Sequence, residues 1–254
     1  MIEDELNIKR FGLVGTKLAH SFSKTFFDKE YHKTYPSPAQ YTNYELASAD
    51  QIVPLAKRLH LCGLNVTLPF KQSVIPYLNS LSPDAQTVGA VNTILFRRLP
   101  TGIIATGYNT DAIAFEACVE QYLPQHGKAL VLGTGGAAKA VAHVLKKCGL
   151  TVTYVSRNAD ADSAIGYNRL TAETIAAHTV IINATPCGTL GFGAEVDIPY
   201  NGISERHLCF DLVYNPPETL FVAECRRRGA IVQNGLQMLC RQAEESWKIW
   251  NGIL

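Results

Sequence analysis

The feature of this sequence that most constrains the fold is the alternation of short apolar segments with helix-like segments along its 254 residues. Residues 11–15, 63–68 and 129–132 have the length and composition of strands, and a helix-like stretch follows each of them. Consecutive parallel strands need a long crossover connection, which is usually a helix. The sequence therefore predicts an α/β protein with mostly parallel sheets.

The alternation occurs twice, which indicates two domains. It runs through the first 110 residues, where Pro100-Thr101-Gly102 separates the strands of a predicted hairpin, and it restarts at about residue 129. Residues 236–250 have the amphipathic pattern of a final helix. We predict a mostly parallel α/β domain at residues 1–110, a Rossmann-type domain at 111–235, a C-terminal helix within 236–254 that packs back on the first domain, and a ligand cleft between the two domains.

Composition excludes several classes of function. Lys and Arg number 23 against 22 Asp and Glu, so the formal net charge is +1 and no overall field attracts nucleic acid or anionic lipid. No apolar run approaches the roughly 20 residues of a membrane-spanning helix, and the N-terminus carries acids where a signal peptide would be basic. We expect a cytoplasmic protein that binds neither nucleic acid nor membranes.

Metal binding is not predicted either. The seven cysteines are scattered, without a CxxC pair, and the seven histidines form no HExxH or HxH motif. We expect reduced, mostly packed thiols and no metal site.

A glycine-rich loop is the strongest local motif. Residues 133–138 read Gly-Thr-Gly-Gly-Ala-Ala, follow a predicted strand and open a helix-like stretch that ends at Gly149. Glycines in this context let a pyrophosphate approach the backbone, and the helix N-terminus supplies partial positive charge. The pattern predicts a dinucleotide site formed by Gly133, Gly135, Gly136 and Ala137.

The next strand indicates which dinucleotide binds. It ends in Ser156-Arg157-Asn158, where NAD-binding proteins usually have an acid that binds the ribose hydroxyls. Arg157 can instead bind a 2′-phosphate through charge-assisted hydrogen bonds, and Ser156 and Asn158 can donate to the same phosphate. This favours NADP over NAD without excluding NAD. The alternative interpretation of Arg157 is an exposed arginine that binds no ligand.

Polar side chains of the first domain follow predicted strands. Asn65 and Thr67 lie on the opposite face of their strand from the apolar residues, and Lys71 follows Pro69, just before a helix predicted at residues 72–78. Ser21 and Ser23 follow the first strand in the same way. Each has an ordinary alternative, since Ser23 would also cap a helix and a lone lysine is usually solvated.

Two further polar positions complete this set. Asn92 ends an apolar segment, and Asp111 stands where the chain enters the second domain. Asp111 could also do no more than compensate a helix dipole. Hydroxyls, amides, one cation and one carboxylate describe a site for a small polyol or carboxylate, and only Lys71 and Asp111 could move a proton there.

Seven ordered motifs resemble the shikimate dehydrogenase family over almost the whole chain. They are Ser21-x-Ser23, Asn65 to Lys71, Gly89 to Thr93, Asn109 to Asp111, Asn183 to Pro186, Asp211 to Pro216 and Gly235 to Ala243. The chain departs from the family pattern at Lys24, where proline is common, and at Ser156-Arg157-Asn158, which replaces Asn-Arg-Thr.

The resemblance implies reversible NADPH-dependent reduction of 3-dehydroshikimate to shikimate, in aromatic amino-acid biosynthesis, by a monomer or homodimer. It implies that residues 1–110 bind the substrate and that residues 111–235 bind NADP. The implied roles are Ser21 and Ser23 for the substrate carboxylate; Asn65, Thr67, Asn92 and Gln242 for ring hydroxyls; Lys71 and Asp111 beside the reacting oxygen; Tyr214 near the substrate; Leu212 and Gly235 near the nicotinamide; and Thr185 near the cofactor.

Three alternatives stay open. A quinate dehydrogenase, or a dual quinate and shikimate enzyme that also accepts NAD, would use the same motifs. A regulatory protein could bind NADP without turnover, although it would not need Lys71 and Asp111. Folate-linked dehydrogenation on a similar two-domain plan is not supported by the Ser21-x-Ser23 segment.

Overall fold

The structure is a computed structural model that describes residues 8–18, 23–28, 39–124, 126–158 and 164–253. The chain divides into two compact units, one formed by Met1–Thr110 together with Gln242–Leu254 and the other by Asp111–Arg241. Among the described residues, no helix is both long and apolar enough to span a bilayer.

The first unit is built on one mixed sheet. Its strands are β1 (Lys9–Gly15), β2 (Ala39–Glu45), β3 (Gly63–Val66), β4 (Ser80–Leu81), β5 (Thr93–Leu99) and β6 (Gly102–Tyr108). Its helices are α1 (residues 23–28), α2 (Ile52–Leu59), α3 (Phe70–Ser73) and α4 (Pro83–Val88), with 3-10 turns at Ala49–Gln51 and Ile75–Tyr77.

Strand order in this sheet is β2-β1-β3-β5-β6-β4. β1 pairs in parallel with β2 and β3, whereas β5 runs antiparallel to both β3 and β6. The β5–β6 pair confirms the predicted hairpin. Because β3 and β5 are antiparallel, Asn65 near the end of β3 lies opposite Thr93 at the start of β5.

The predicted helix at residues 72–78 is wrong in its extent. The chain forms the one-turn α3 at Phe70–Ser73 and then a 3-10 turn at Ile75–Tyr77. Pro76 explains the break, because proline has no N–H to donate and its ring clashes with the preceding turn of an α-helix. Lys71 therefore lies in a single helical turn, and its carbonyl accepts a 2.7 Å hydrogen bond from the Val91 N–H.

Aromatic side chains fill the core around β1. The ring of Phe11 stacks on Trp250 at 4.6 Å between centroids and meets Trp247 edge-on at 5.4 Å. Gly63 makes room for this packing, since a Cβ at that position would lie 2.2 Å from the Trp250 Nε1. That nitrogen donates a 3.0 Å hydrogen bond to the Ile94 carbonyl, which ties residues near the C-terminus to β5.

The described residues of the second unit form six strands. They are β7 (Gly127–Leu132), β8 (Leu150–Ser156), β9 (Ile165–Gly166), β10 (Val180–Asn183), β11 (Leu208–Asp211) and β12 (Ile231–Gln233). The remaining helices are α5 (Thr110–Val119), α6 (Gly136–Lys147), α7 (Ala172–Ala176), α8 (Leu220–Arg227) and α9 (Leu236–Asn251), with 3-10 turns at Glu120–Tyr122, Tyr167–Arg169 and Tyr200–Gly202. α5 begins with the last residue of the first unit, and α9 ends in that unit.

All strand pairs of this second sheet are parallel. Its order is β9-β8-β7-β10-β11-β12. Strands β8 and β9 are therefore added on one side of β7, and β10, β11 and β12 on the other side. This is the strand order of the dinucleotide-binding Rossmann fold. The arrangement confirms the predicted fold class, and ligands of such sheets bind at the reversal point, here the carboxyl ends of β7 and β10.

Candidate functional site

The glycine loop after β7 is shaped to receive a ligand. Gly133 has a φ of +104°, a backbone conformation that favours glycine, and its N–H donates a 2.8 Å hydrogen bond to the Val155 carbonyl, which continues the pairing of β7 with β8 by one residue. A Cβ at Gly133 would lie 3.1 Å from Thr185 Cγ2, so a larger residue would press on the loop after β10. By contrast, no atom lies within 4 Å of a Cβ built on Gly135. The loop is therefore packed against the segment after β10 at Gly133 and open at Gly135.

The amino end of α6 begins at this open position, Gly135. Gly135 is its N-cap, and the 12-residue helix has no acidic residue in its first turn. The first N–H groups of a helix lack partners within the helix and carry partial positive charge. These groups, at Gly136 and Ala137, fit a pyrophosphate.

Arg157 lies just past the end of β8, the strand next to β7. Its side chain is exposed, and the Ser156 hydroxyl accepts a 3.1 Å hydrogen bond from the Asn158 N–H, which forms a tight turn. Burial raises the pKa of Tyr167 to about 12, and the nearby Arg157 charge acts in the opposite direction. The segment presents a cation and polar groups, and no acid, at the edge of the sheet where the loop opens.

Asp211 is a site group that the sequence reasoning missed. It ends β11, its side chain is fully buried, and its carboxylate accepts hydrogen bonds from Asn183 Nδ2 at 2.8 Å, the Val213 N–H at 2.9 Å and the Thr219 hydroxyl at 2.6 Å. Asn183 in turn accepts from the Thr185 hydroxyl at 2.6 Å. The Asp211 carboxylate therefore orients the loop that carries Thr185. The signal was available, since an aspartate ends an otherwise apolar strand.

The residues predicted to lie near the nicotinamide come together. A Cβ on Gly235 would lie 2.1 Å from the Leu212 carbonyl oxygen, so only glycine allows the two segments to approach this closely. The Gly235 N–H also donates to the Val213 carbonyl at 3.1 Å. Tyr214, two residues after Leu212, is half-buried.

In the first unit, Asn65 forms the centre of a buried polar cluster. Its Oδ1 accepts a 2.9 Å hydrogen bond from the Tyr41 hydroxyl. Its Nδ2 donates to Ser246 Oγ at 2.9 Å and to Thr93 Oγ1 at 3.2 Å. The amide thus has protein partners on both sides, and a ligand would have to replace one of them.

Asn92 is held by both atoms of its amide. Its Oδ1 accepts a 2.7 Å bond from the Thr110 N–H, and its Nδ2 donates to Thr110 Oγ1 at 2.9 Å. The Thr110 hydroxyl donates onward to the Gln242 carbonyl at 3.0 Å. Three predicted site residues, Asn65, Asn92 and Gln242, are therefore joined through hydroxyl groups that the sequence reasoning did not single out.

The other predicted residues are placed as follows. Ser23 is the first described residue of α1 and is half-buried, whereas Ser21 lies outside the described residues. Thr67 is half-buried after β3, where its N–H donates to the Val14 carbonyl at 2.9 Å. Lys71 is half-buried in α3, and Asp111 is buried in the first turn of α5. Within the described residues, no group of three or more His, Cys, Asp or Glu could hold a metal ion.

Comparisons with known proteins extend over both units. The family described as the shikimate dehydrogenase substrate binding domain matches residues 13–94. A relative, the shikimate dehydrogenase (NADP(+)) of Oleidesulfovibrio alaskensis, is 33% identical over 255 residues that cover 95% of this chain and 89% of the relative. These matches confirm the resemblance indicated by the seven motifs.

Two solved structures add to this comparison. Shikimate 5-dehydrogenase from Thermus thermophilus, in complex with NADP(H) and shikimate, superposes with a TM-score of 0.82 at 30% identity, covering 97% of this chain and 94% of that one. Quinate dehydrogenase from Corynebacterium glutamicum, in complex with NAD, gives a TM-score of 0.81 at 26% identity, covering 97% and 95%.

Asp211 should give the stability of the protein a specific pH dependence. Burial raises the pKa of Asp211 to about 6, against hydrogen bonds from Thr219, Val213 and Asn183 that lower it. The folded protein then holds the proton more tightly than the unfolded chain, so stability is lost as the pH rises from about 4 to about 6. Relative to Asp211→Asn, the free energy of unfolding of the wild type should fall by about 3 kcal/mol over this range.

Urea denaturation at several pH values measures this difference. Asp197→Asn is the matched control, because Asp197 is exposed in the same unit. Parallel pH profiles for the wild type and Asp211→Asn would contradict the prediction.

Proposed function

The chain belongs to the shikimate dehydrogenase family, and we propose that it catalyses the reversible, NADPH-dependent reduction of 3-dehydroshikimate to shikimate. One observation carries the proposal. The same chain holds an open glycine-rich loop at the reversal point of a Rossmann sheet and, in the segment that matches the family's substrate binding domain, a buried cluster of amides and hydroxyls around Asn65 and Asn92.

The second unit fits NADP. The pyrophosphate would lie over Gly135 and the amino end of α6, where a Cβ would meet no atom. Arg157 would bind the 2′-phosphate, with Ser156 and Asn158 as further donors, and the absence of an acid from these three positions favours the phosphorylated cofactor. Thr185, Leu212 and Gly235 would lie along the nicotinamide half.

The first unit would bind the substrate. Ser21 and Ser23 would donate to its carboxylate, and Asn92, Thr67 and Gln242 would bind ring hydroxyls, with Tyr214 of the second unit as a further neighbour. Asn65 would contribute through the cluster, since its amide oxygen already accepts from Tyr41 and its amide nitrogen already donates to both Ser246 and Thr93. A ligand with several hydroxyls and one carboxylate matches these groups because each can be paired when water is excluded.

Lys71 and Asp111 would carry the proton transfer. When bound, NADPH supplies the hydride that reduces the ketone carbon of the substrate. Negative charge then develops on the ketone oxygen, and the Lys71 ammonium would stabilise that charge and donate the proton. Asp111 would orient the ammonium group and accept a hydrogen bond from the neighbouring substrate hydroxyl. In the reverse direction, the Lys71 amine would accept the proton from the alcohol.

Quinate dehydrogenase is the second candidate function. Its support is the close structural similarity of the quinate dehydrogenase that was solved with NAD. Arg157 favours the first candidate, since an arginine at this position pairs with the 2′-phosphate that NAD lacks.

A crossed activity assay tests the proposed function. Purified protein is incubated with shikimate or quinate, each with NADP or NAD, and reduced nucleotide is followed by absorbance. We expect turnover with shikimate and NADP to dominate. Comparable turnover with quinate and NAD would replace the first candidate by the second, and no turnover in any combination while NADP still binds would indicate a regulatory protein.

Replacement of Lys71 tests the proton-transfer role. Lys71→Met should lower kcat by about 10²- to 10⁴-fold with a much smaller change in KM, because the lost interaction forms mainly in the transition state. Lys57→Met is the control, since Lys57 is exposed in the last turn of α2. Near-normal kcat in the Lys71 variant would rule out this role.

Replacement of Arg157 tests the cofactor preference. Arg157→Ala should raise the KM for NADP about 10- to 100-fold and leave the KM for NAD unchanged. This factor corresponds to the free energy that hydrogen bonds to a charged group contribute to binding. Arg206→Ala is the matched control, because Arg206 is exposed just before β11, at the opposite edge of the same sheet. Equal effects on both nucleotides would mean that Arg157 does not bind the 2′-phosphate.

A further inference from the structure

We propose that Tyr41, Thr93 and Ser246 are positioning residues of the substrate site. They form a buried hydrogen-bonded network around Asn65 that sets its position relative to the residues at the ring-hydroxyl end, Asn92 and Gln242. None of the three was identified as a ligand from the sequence. The inference rests on the proposed function, because the groups it positions are the proposed substrate ligands.

Tyr41 connects Asn65 to β2. Its side chain is 5% exposed, and its ring stacks on Phe27 at 4.2 Å with an angle of 12° between the planes. The hydroxyl donates to Asn65 Oδ1 at 2.9 Å. Burial raises the pKa of Tyr41, so the phenol keeps the proton that it donates. Ring packing thus fixes the point at which the Asn65 amide oxygen is held.

Ser246 is the link at the ring-hydroxyl end. It is fully buried on α9, one turn after Gln242, and its hydroxyl donates to the Gln242 carbonyl at 2.8 Å. The same oxygen lies 2.9 Å from Asn65 Nδ2 and 2.7 Å from Thr93 Oγ1. Ser246 therefore fixes the helical turn that carries Gln242 against β3 and β5.

Thr93 joins Asn65 to Asn92. Its side chain is fully buried, its hydroxyl accepts from Asn65 Nδ2 at 3.2 Å, and its one proton faces both Ser246 Oγ at 2.7 Å and Asn92 Oδ1 at 3.3 Å. The path from Tyr41 through Asn65 and Thr93 to Asn92 is therefore continuous. Displacement of one member would displace the groups at the other end.

The chemistry of the network argues against a role in stability alone. A buried hydrogen bond contributes only about 1 kcal/mol net, and apolar groups of the same shape can replace a pair without loss. Buried polar networks that are fully satisfied instead specify one arrangement of the side chains. A site that must match a carboxylate and several hydroxyls at once requires such an arrangement.

Single variants that keep side-chain shape test the proposal. Tyr41→Phe, Thr93→Val and Ser246→Ala should each raise the KM for shikimate roughly five- to tenfold, the value of one hydrogen bond, with the KM for NADP unchanged. Thr93→Ser retains the hydroxyl and should restore a normal KM. Tyr200→Phe is the matched control, because the Tyr200 hydroxyl donates to the Val196 carbonyl in the second unit. Unchanged KM for shikimate in all three variants would overturn the proposal.

A double-mutant cycle then separates positioning from general destabilisation. If Tyr41 and Thr93 act through the same Asn65 amide, Tyr41→Phe should add less than its full effect to the KM for shikimate in a Thr93→Val background, whereas full additivity would refute the link. Thermal melting shows whether each variant folds. If Tyr41→Phe does not fold, the comparison of Thr93→Val with Thr93→Ser tests the proposal instead. The wild type is measured first. If the wild type turns over quinate but not shikimate, the proposed substrate is refuted, and the same variants are then assayed with quinate. An inactive wild type would overturn both the proposed function and the positioning role.

Discussion

Buried hydrogen-bonding groups must find partners within the protein, and this requirement shapes the site in both units. In the first unit, the amides of Asn65 and Asn92 are satisfied by hydroxyls of neighbouring strands and helices. In the second unit, the Asp211 carboxylate accepts three hydrogen bonds and so orders the loop after β10. The groups proposed to bind ligands are therefore held in place before any ligand arrives, which would reduce the entropy lost on binding.

Parallel strands determine where these networks form. Because the carboxyl ends of parallel strands share one edge, the loop after β7, the turn after β8 and the loop after β10 meet at that edge of the second sheet. Strand β5 has the corresponding effect in the first unit by running antiparallel to β3, which places its first residue, Thr93, opposite Asn65. In each unit, short segments that are distant in sequence are thus brought close together.

The sequence predicted the features that depend on local pattern. The β5–β6 hairpin and the strand-loop-helix unit around Gly133 follow from alternation and glycine spacing, and both are present. The short helix α4 was missed, although Ser82 as N-cap and Pro83 at the first position are typical start signals. Tyr41 and Ser246 could not be identified in this way. Ser246 meets Asn65 across 181 residues, and no local pattern encodes a contact of that range.

The order of the units along the chain has a consequence for biosynthesis. The aromatic core around Phe11 needs Trp247 and Trp250, which are translated only after the whole second unit has been made. On the ribosome, the second unit can fold while the apolar face of β1 still lacks these partners. Until α9 has been translated, the nascent first unit therefore lacks part of its aromatic core, whatever the state of the second unit.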